Sequence, residues 1–123
     1  MIDHISIPVR DLKRSENFYS TVLAVLGYTV LEKKTGTVGF GKKYPEFWIN
    51  ERKNISTGQV SDGFHVCLRA KSIDMVDTFY KIAMELGAVA DGAPGYREQY
   101  GANYYATFIG DYDGNRIEVV TFA

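Results

Sequence analysis

At 123 residues and 13.8 kDa, the chain has the length of one compact domain, typically ~100 to 150 residues, and a second catalytic domain is excluded. Hydrophobic residues make up 46% and charged residues 24%, ordinary globular values that exclude a disordered or fibrous chain. Fourteen Lys and Arg against fifteen Asp and Glu leave a net charge of −1, too weak a positive field to hold a phosphate backbone or an anionic membrane, so neither nucleic acid nor membrane is an expected partner.

In chain order, Ile2 to Val9 opens the sequence with Ile5, Ile7 and Val9 alternating against His4, Ser6 and Pro8. That period predicts a strand with one apolar face and His4 on the other. Asp11 is placed to cap a helix carrying Phe18, Tyr19, Val22, Leu23 and Leu26, which Gly27 closes. Short β-like runs follow at Tyr28 to Glu32, Val38 to Gly41 and Glu46 to Asn50. Arg52 to Gly63, rich in Asn, Ser, Thr, Gly and Asp, has the composition of an exposed connector.

The same order then returns. Phe64, Val66 and Leu68 alternate with His65, Cys67 and Arg69; Ser72 caps a helix through Met75, Val76, Phe79, Tyr80 and Ala83 that ends at Gly87; and β-like runs follow at Ala88 to Ala90, Tyr104 to Ile109 and Ile117 to Phe122. His4 precedes Asp11 by seven residues, as His65 precedes Ser72; the closing glycines follow their histidines by 23 and 22 residues. A repeat of this kind defines the fold. Each half reads βαβββ, module 1 about residues 1–57 and module 2 about 60–123 of a single α+β domain. A helix covers one face of each set of strands, and the opposite face is open to line a cleft.

The only two histidines occupy equivalent positions on the face away from the helices. In the last strand Ile117 and Val119 point one way, leaving Arg116, Glu118 and Val120 on the other. Two imidazoles and a carboxylate with open positions suit a catalytic zinc or non-haem iron centre. The bland alternative is two structural histidines and a solvated glutamate.

These residues resemble the vicinal oxygen chelate superfamily, which includes glyoxalase I, bleomycin-resistance proteins and extradiol dioxygenases. The resemblance is carried by Ile2-Asp3-His4-Ile5-Ser6-Ile7, by Ser15-Glu16-Asn17-Phe18-Tyr19 with Leu26-Gly27-Tyr28, by Phe64-His65-Val66, and by Asp111-Tyr112-Asp113-Gly114-Asn115-Arg116-Ile117-Glu118. It spans essentially the whole chain. It implies two paired βαβββ modules in a curved mixed sheet with helices on the convex face, and a divalent metal (Zn, Fe, Mn or Ni) on His4, His65 and Glu118. It further implies a lyase, isomerase or dioxygenase acting on a small substrate with vicinal oxygens, assembled as a homodimer. The alternative is a metal-free binding or drug-resistance protein using the same cleft.

The chain departs from the four-ligand glyoxalase pattern in its first module. Laying Pro45-Glu46-Phe47-Trp48-Ile49 on Asn115-Arg116-Ile117-Glu118-Val119 puts Trp48 where that module's glutamate stands, and tryptophan cannot ligate. Glu46, two residues earlier on the same strand face, is the candidate catalytic base, with an exposed strand-end acid as its alternative. The dioxygenase branch usually carries a further catalytic histidine, and relatives often show one in the loop before Asn103-Tyr104-Tyr105, where this chain has Gly101-Ala102.

Asp91 to Asn103 reads as a long loop bearing Tyr96, Arg97, Glu98 and Tyr100 between glycines and Pro94. Arg97 with its tyrosines suits a carboxylate or phenolate, and the alternative is a solvated turn. Trp48, Tyr100, Tyr104 and Tyr105 are the candidate aromatic substrate contacts, though aromatics on strands are also core material. Asp111 to Asn115 has its glycine at the fourth position where a calcium loop has it at the sixth, and reads as a hairpin turn. Cys67, the lone cysteine, cannot form an internal disulfide and reads as pocket lining in a reducing compartment. The apolar run Val22 to Leu26 is far shorter than the ~18 residues of a membrane helix, and Asp3 and Pro8 stand where a signal peptide is apolar, so the expected location is cytoplasmic.

Overall fold

The computed structural model describes residues 1–55 and 63–123. Most of the predicted connector, Ser56 to Asp62, lies outside the described residues. The chain divides into two compact units, Met1–Gly58 and Gln59–Ala123, and each has the βαβββ order the repeat predicts.

The first unit contains β1 (Ile5–Val9), α1 (Leu12–Ala24), β2 (Thr29–Lys34), β3 (Thr37–Gly41) and β4 (Pro45–Glu51). Its strands form a mixed sheet ordered β1-β4-β3-β2, with β1 parallel to β4 and the other neighbours antiparallel. The meander β2-β3-β4 carries the chain back beside β1. α1 starts where the Asp11 carboxylate accepts the Arg14 backbone N–H at 3.1 Å. It stops where Gly27, at φ 86°, turns the chain so that the Tyr28 N–H reaches the Leu23 carbonyl at 3.0 Å. Phe18, Tyr19, Val22 and Leu23 are buried, as are Ile7, Val9, Val38, Phe40, Phe47 and Ile49 of the sheet. Tyr19 sits at the centre, 5.0 Å from the ring of Phe18 and 5.1 Å from that of Phe47. The inner face of β4 is thus Phe47 and Ile49, and Glu46, Trp48 and Asn50 project from the other.

The second unit repeats this with β5 (Val66–Arg69), α2 (Ile73–Glu85), β6 (Val89–Tyr96), β7 (Tyr104–Gly110) and β8 (Arg116–Phe122), plus a single 3₁₀ turn at Glu98–Tyr100. The order is β5-β8-β7-β6, and β5 runs parallel to β8. The Ser72 hydroxyl caps α2 by accepting the Met75 N–H at 3.2 Å. The Asp111 carboxylate accepts the backbone N–H groups of Asp113 and Asn115 at 2.9 and 2.8 Å and the Asn115 amide at 2.8 Å. Asp111 is therefore the organiser of the β7–β8 turn.

Register fixes the equivalence of the two units. Ser6 pairs with Trp48 across β1 and β4, and Cys67 pairs with Glu118 across β5 and β8. Ser6 and Cys67 each lie two residues after their histidine, so Trp48 occupies the position of Glu118. The next strand compensates. Trp48 pairs with Gly39 and Glu118 with Phe108, so a large residue beside a small one in one unit becomes small beside large in the other. A Cβ on Gly39 would stand 2.8 Å from the Trp48 ring, and only glycine leaves that ring its place.

The structure corrects several boundaries. β1 and β5 begin at Ile5 and Val66, so both histidines sit one residue ahead of their strands. The predicted loop from Asp91 is strand as far as Tyr96, with register shifts at Gly92 and Gly95. The bulges place Pro94 where no ladder hydrogen bond is required, so the chain stays extended through residues that read as breakers.

Candidate functional site

The second unit brings together one face of its sheet. Tyr105, Thr107 and Ile109 of β7 turn toward α2, where the Tyr105 hydroxyl donates to Asp77 at 2.6 Å. Alternation then puts Tyr104, Phe108 and Glu118 on the opposite face, with His65 and Cys67. Glu118 is 2% exposed. Its Oε1 lies 2.9 Å from His65 Nε2, and its Oε2 accepts the Tyr104 hydroxyl at 2.5 Å. Both carboxylate oxygens are therefore committed, one to an imidazole that is 40% exposed. Desolvation, with the Glu118 carboxylate second, pushes the Cys67 thiol up to about 12 and raises the Tyr104 phenol above its ordinary range.

Tyr104 stacks edge-on against Tyr100 at 5.5 Å and Phe122 at 5.3 Å, and the Arg69 guanidinium lies 4.4 Å from the centre of the Phe122 ring. Beside this row a cavity of about 490 Å³ is lined by His65, Asp91, Arg97, Tyr100, Phe108 and Arg116, among others. Arg97, expected in a loop, lies in the connection just past the end of β6, with its N–H on the Tyr104 carbonyl at 2.7 Å.

In the first unit His4 is exposed, its Nδ1 2.7 Å from the Asp3 carboxylate. Glu46 shares a hydrogen bond with Tyr28, whose phenol is pushed up to about 12 by desolvation and by that carboxylate. Trp48 is half-buried over Gly39. Of the expected residues the structure thus joins His65, Glu118 and Tyr104 in one hydrogen-bonded group and sets Arg97 and Tyr100 on the cavity next to it. Tyr105 stands on the helix side of the sheet, bonded to Asp77, because odd-numbered β7 residues face α2. The sequence reading missed Phe108 and Arg116. The signal for Phe108 was parity, four residues after Tyr104 on the same strand face; Arg116 was seen only as a neighbour of Glu118.

The chemistry of the donors fits a divalent cation. Neighbouring ligands around a tetrahedral zinc-like ion, with bonds of ~2.0 to 2.2 Å, stand ~3.3 to 3.6 Å apart; His65 Nε2 and Glu118 Oε1, in hydrogen-bond contact at 2.9 Å, would need to part only slightly to admit one. Among the described residues no group of three or more His, Cys, Asp or Glu side chains that could hold a metal ion is found.

The family model of the Glyoxalase/Bleomycin resistance protein/Dioxygenase superfamily matches residues 1–119. The chain belongs to this superfamily. A glyoxalase/bleomycin resistance protein from Albidiferax ferrireducens is similar in structure, with 24% identity, a TM-score of 0.83, and coverage of 96% of this chain and 95% of that one. A second similar structure, a mutant of the fosfomycin resistance protein FosX from Listeria monocytogenes, was determined with Mn(II) and 1S,2S-dihydroxypropylphosphonic acid. It is 16% identical, with a TM-score of 0.73 over all of this chain (100%) and 90% of FosX. A putative glyoxalase from Bacillus halodurans is 22% identical, with a TM-score of 0.70 and coverage of 98% and 94%. No curated protein sequence matches the chain. Among the described residues no helix is long and apolar enough to cross a membrane.

Proposed function

We propose that the chain is a small metalloenzyme of this superfamily, a lyase, isomerase or dioxygenase acting on a small substrate with vicinal oxygens, with a divalent metal held by His4, His65 and Glu118. The observation that carries the reading is the 2.9 Å approach of His65 Nε2 to a buried Glu118 carboxylate. Withdrawing a carboxylate from water costs stability, and an imidazole nitrogen beside a buried carboxylate is a donor pair suited to a divalent ion. The Mn(II) and diol phosphonate of the FosX structure support a cation and a small polar substrate.

When bound, a zinc, iron, manganese or nickel ion supplies Lewis-acid polarisation of a substrate oxygen. The chain's own residues do the rest. Tyr104 holds Oε2 of Glu118 and so aims Oε1 toward His65. Arg97 and Tyr100 bind the substrate from the cavity wall, and Trp48 offers an aromatic surface. Glu46, steadied by Tyr28, accepts a proton. A single domain and a cytoplasmic homodimer are part of the same proposal.

X-ray absorption on the zinc-loaded protein tests it. The reading expects a shell of nitrogen and oxygen at ~2.0 to 2.2 Å with at least one water; a sulfur shell would make Cys67 a ligand and remove this ligand set. One observation favours a second reading, a metal-free binding or resistance protein: Trp48 stands at the position equivalent to Glu118. Protein that takes up no metal, yet is stabilised by small molecules, would decide for that reading.

A further inference from the structure

The cavity beside His65 has an unbalanced charge. Arg116 Nε pairs with the Asp91 carboxylate at 3.2 Å, so these two charges neutralise one another, while both oxygens of the Glu118 carboxylate are engaged by His65 at 2.9 Å and by the Tyr104 hydroxyl. Arg97 has no such partner among the described residues. Its Nη1 and Nη2 donate to the carbonyls of Gly95 at 2.9 Å and Ala93 at 2.8 Å, which fixes the guanidinium plane without cancelling its charge. The remaining N–H groups have no acceptor among the described residues.

The guanidinium is also held over a ring. Its central carbon lies 5.7 Å from the centre of Phe108, and the His65 ring meets the same phenyl edge-on at 5.8 Å. Gly92 makes room for this, since a Cβ there would stand 3.1 Å from Arg97 Nη2 and 3.2 Å from Phe108 Cδ1. One aromatic ring therefore neighbours both a fixed cation and the imidazole of the proposed reacting end. A cavity of about 490 Å³ is in the range that holds a small organic molecule, roughly 300 to 1,000 Å³.

We infer that this cavity takes a small organic acid, its carboxylate or phosphonate head on the Arg97 guanidinium and its apolar or aromatic body on Phe108. The inference deepens the reading that His65 and Glu118 form the reacting end, and it names the class of substrate that end receives. A pinned, uncompensated guanidinium has lost its rotamer freedom before the ligand arrives, and its planar donor fork matches an oxyanion.

Benzoate, phenylphosphonate and neutral benzyl alcohol, titrated into the metal-free, isotope-labelled full chain and followed by heteronuclear NMR, test the inference. Both anions are expected to shift the signals of Gly92, Phe108 and the Arg97 side chain and to bind about tenfold or more tighter than the alcohol. Arg97→Gln should bring benzoate down to the alcohol's affinity. Should that variant disturb the β6–β7 connection, the comparison of anion with alcohol in the wild-type chain decides alone. Benzyl alcohol binding as tightly as benzoate, or anion shifts confined to other surfaces, would overturn the inference. His65→Ala, run in parallel, separates it from the metal reading: benzoate binding survives there if Arg97 is the anchor, whatever becomes of the metal.

Discussion

Glu118→Gln keeps the shape of a side chain that is 2% exposed and removes its charge. Its two bonds, to His65 at 2.9 Å and from Tyr104 at 2.5 Å, each lose charge assistance worth about 1 kcal/mol, or roughly 2 kcal/mol together. Against that stands the cost of keeping an ionised carboxylate out of water, roughly 3 kcal/mol or more even after relaxation. Desolvation wins. In the absence of metal the variant should be as stable as the wild type or more stable by ~1 kcal/mol, as expected where a group is kept for function at the expense of stability. Glu118→Ala is a different perturbation, since it strands the Tyr104 hydroxyl and the His65 ring nitrogen and should cost ~2 to 4 kcal/mol. Urea unfolding at neutral pH with a chelator present measures both. Repeated with divalent metal at about a hundred times its Kd, the wild type should gain about 2.7 kcal/mol and the Gln variant much less. A metal-free Glu118→Gln protein destabilised by more than ~2 kcal/mol would refute the reasoning: the carboxylate would then be a structural keystone, and the bland reading of Glu118 would hold.

Gly39→Ala sets a methyl 2.8 Å from the Trp48 ring; it should cost ~1 to 3 kcal/mol by overpacking and shift the fluorescence of the single tryptophan. Cys67, pushed up to about 12, should resist iodoacetamide at pH 8.5, where an ordinary thiol of pKa ~8.5 is half ionised; rapid alkylation there would contradict the thiol's placement beside Glu118. Tyr28 and Tyr105 are likewise pushed up to about 12, the first mainly by desolvation and the second mainly by its bond to Asp77. The folded chain thus keeps protons that the unfolded chain releases near pH ~10, so stability should be undiminished below that pH and fall as the pH climbs toward 12. Chemical denaturation across the alkaline range reads the slope, and Tyr105→Phe should make it shallower.

The repeat made the fold legible. Two equal histidine-to-cap spacings and two helix-ending glycines announced both units, because capping and strand parity are local rules that survive into the folded chain. Local rules also misled where tertiary pairing prevailed. Gly92, Pro94 and Gly95 read as a loop, whereas the β7 ladder holds them extended through two bulges. Glu118 was legible as a ligand type and by face. Its commitment to Tyr104 depends on the register between β7 and β8, where Tyr104 faces Phe122 and Phe108 faces Glu118, and no spacing rule supplies that register. For the same reason Tyr104 and Tyr105 looked alike in the sequence, though one bonds Glu118 and the other Asp77. The charge balance of the cavity was hidden as well, since it depends on Arg116 reaching Asp91 and leaving Arg97 without a carboxylate among the described residues.

The central claim is that His65 and Glu118 hold a functional cation. Elemental analysis of the full chain, purified without an affinity tag or chelator and then exposed in turn to Zn, Mn, Ni and Fe(II), tests it most directly. About one divalent ion per chain should be retained through gel filtration, as expected for an ion on three protein ligands with a position left open, and His65→Ala should lose the ion while keeping the wild-type circular dichroism spectrum. Wild-type protein that emerges empty from every exposure, or a folded His65→Ala variant that keeps its ion, would contradict the account.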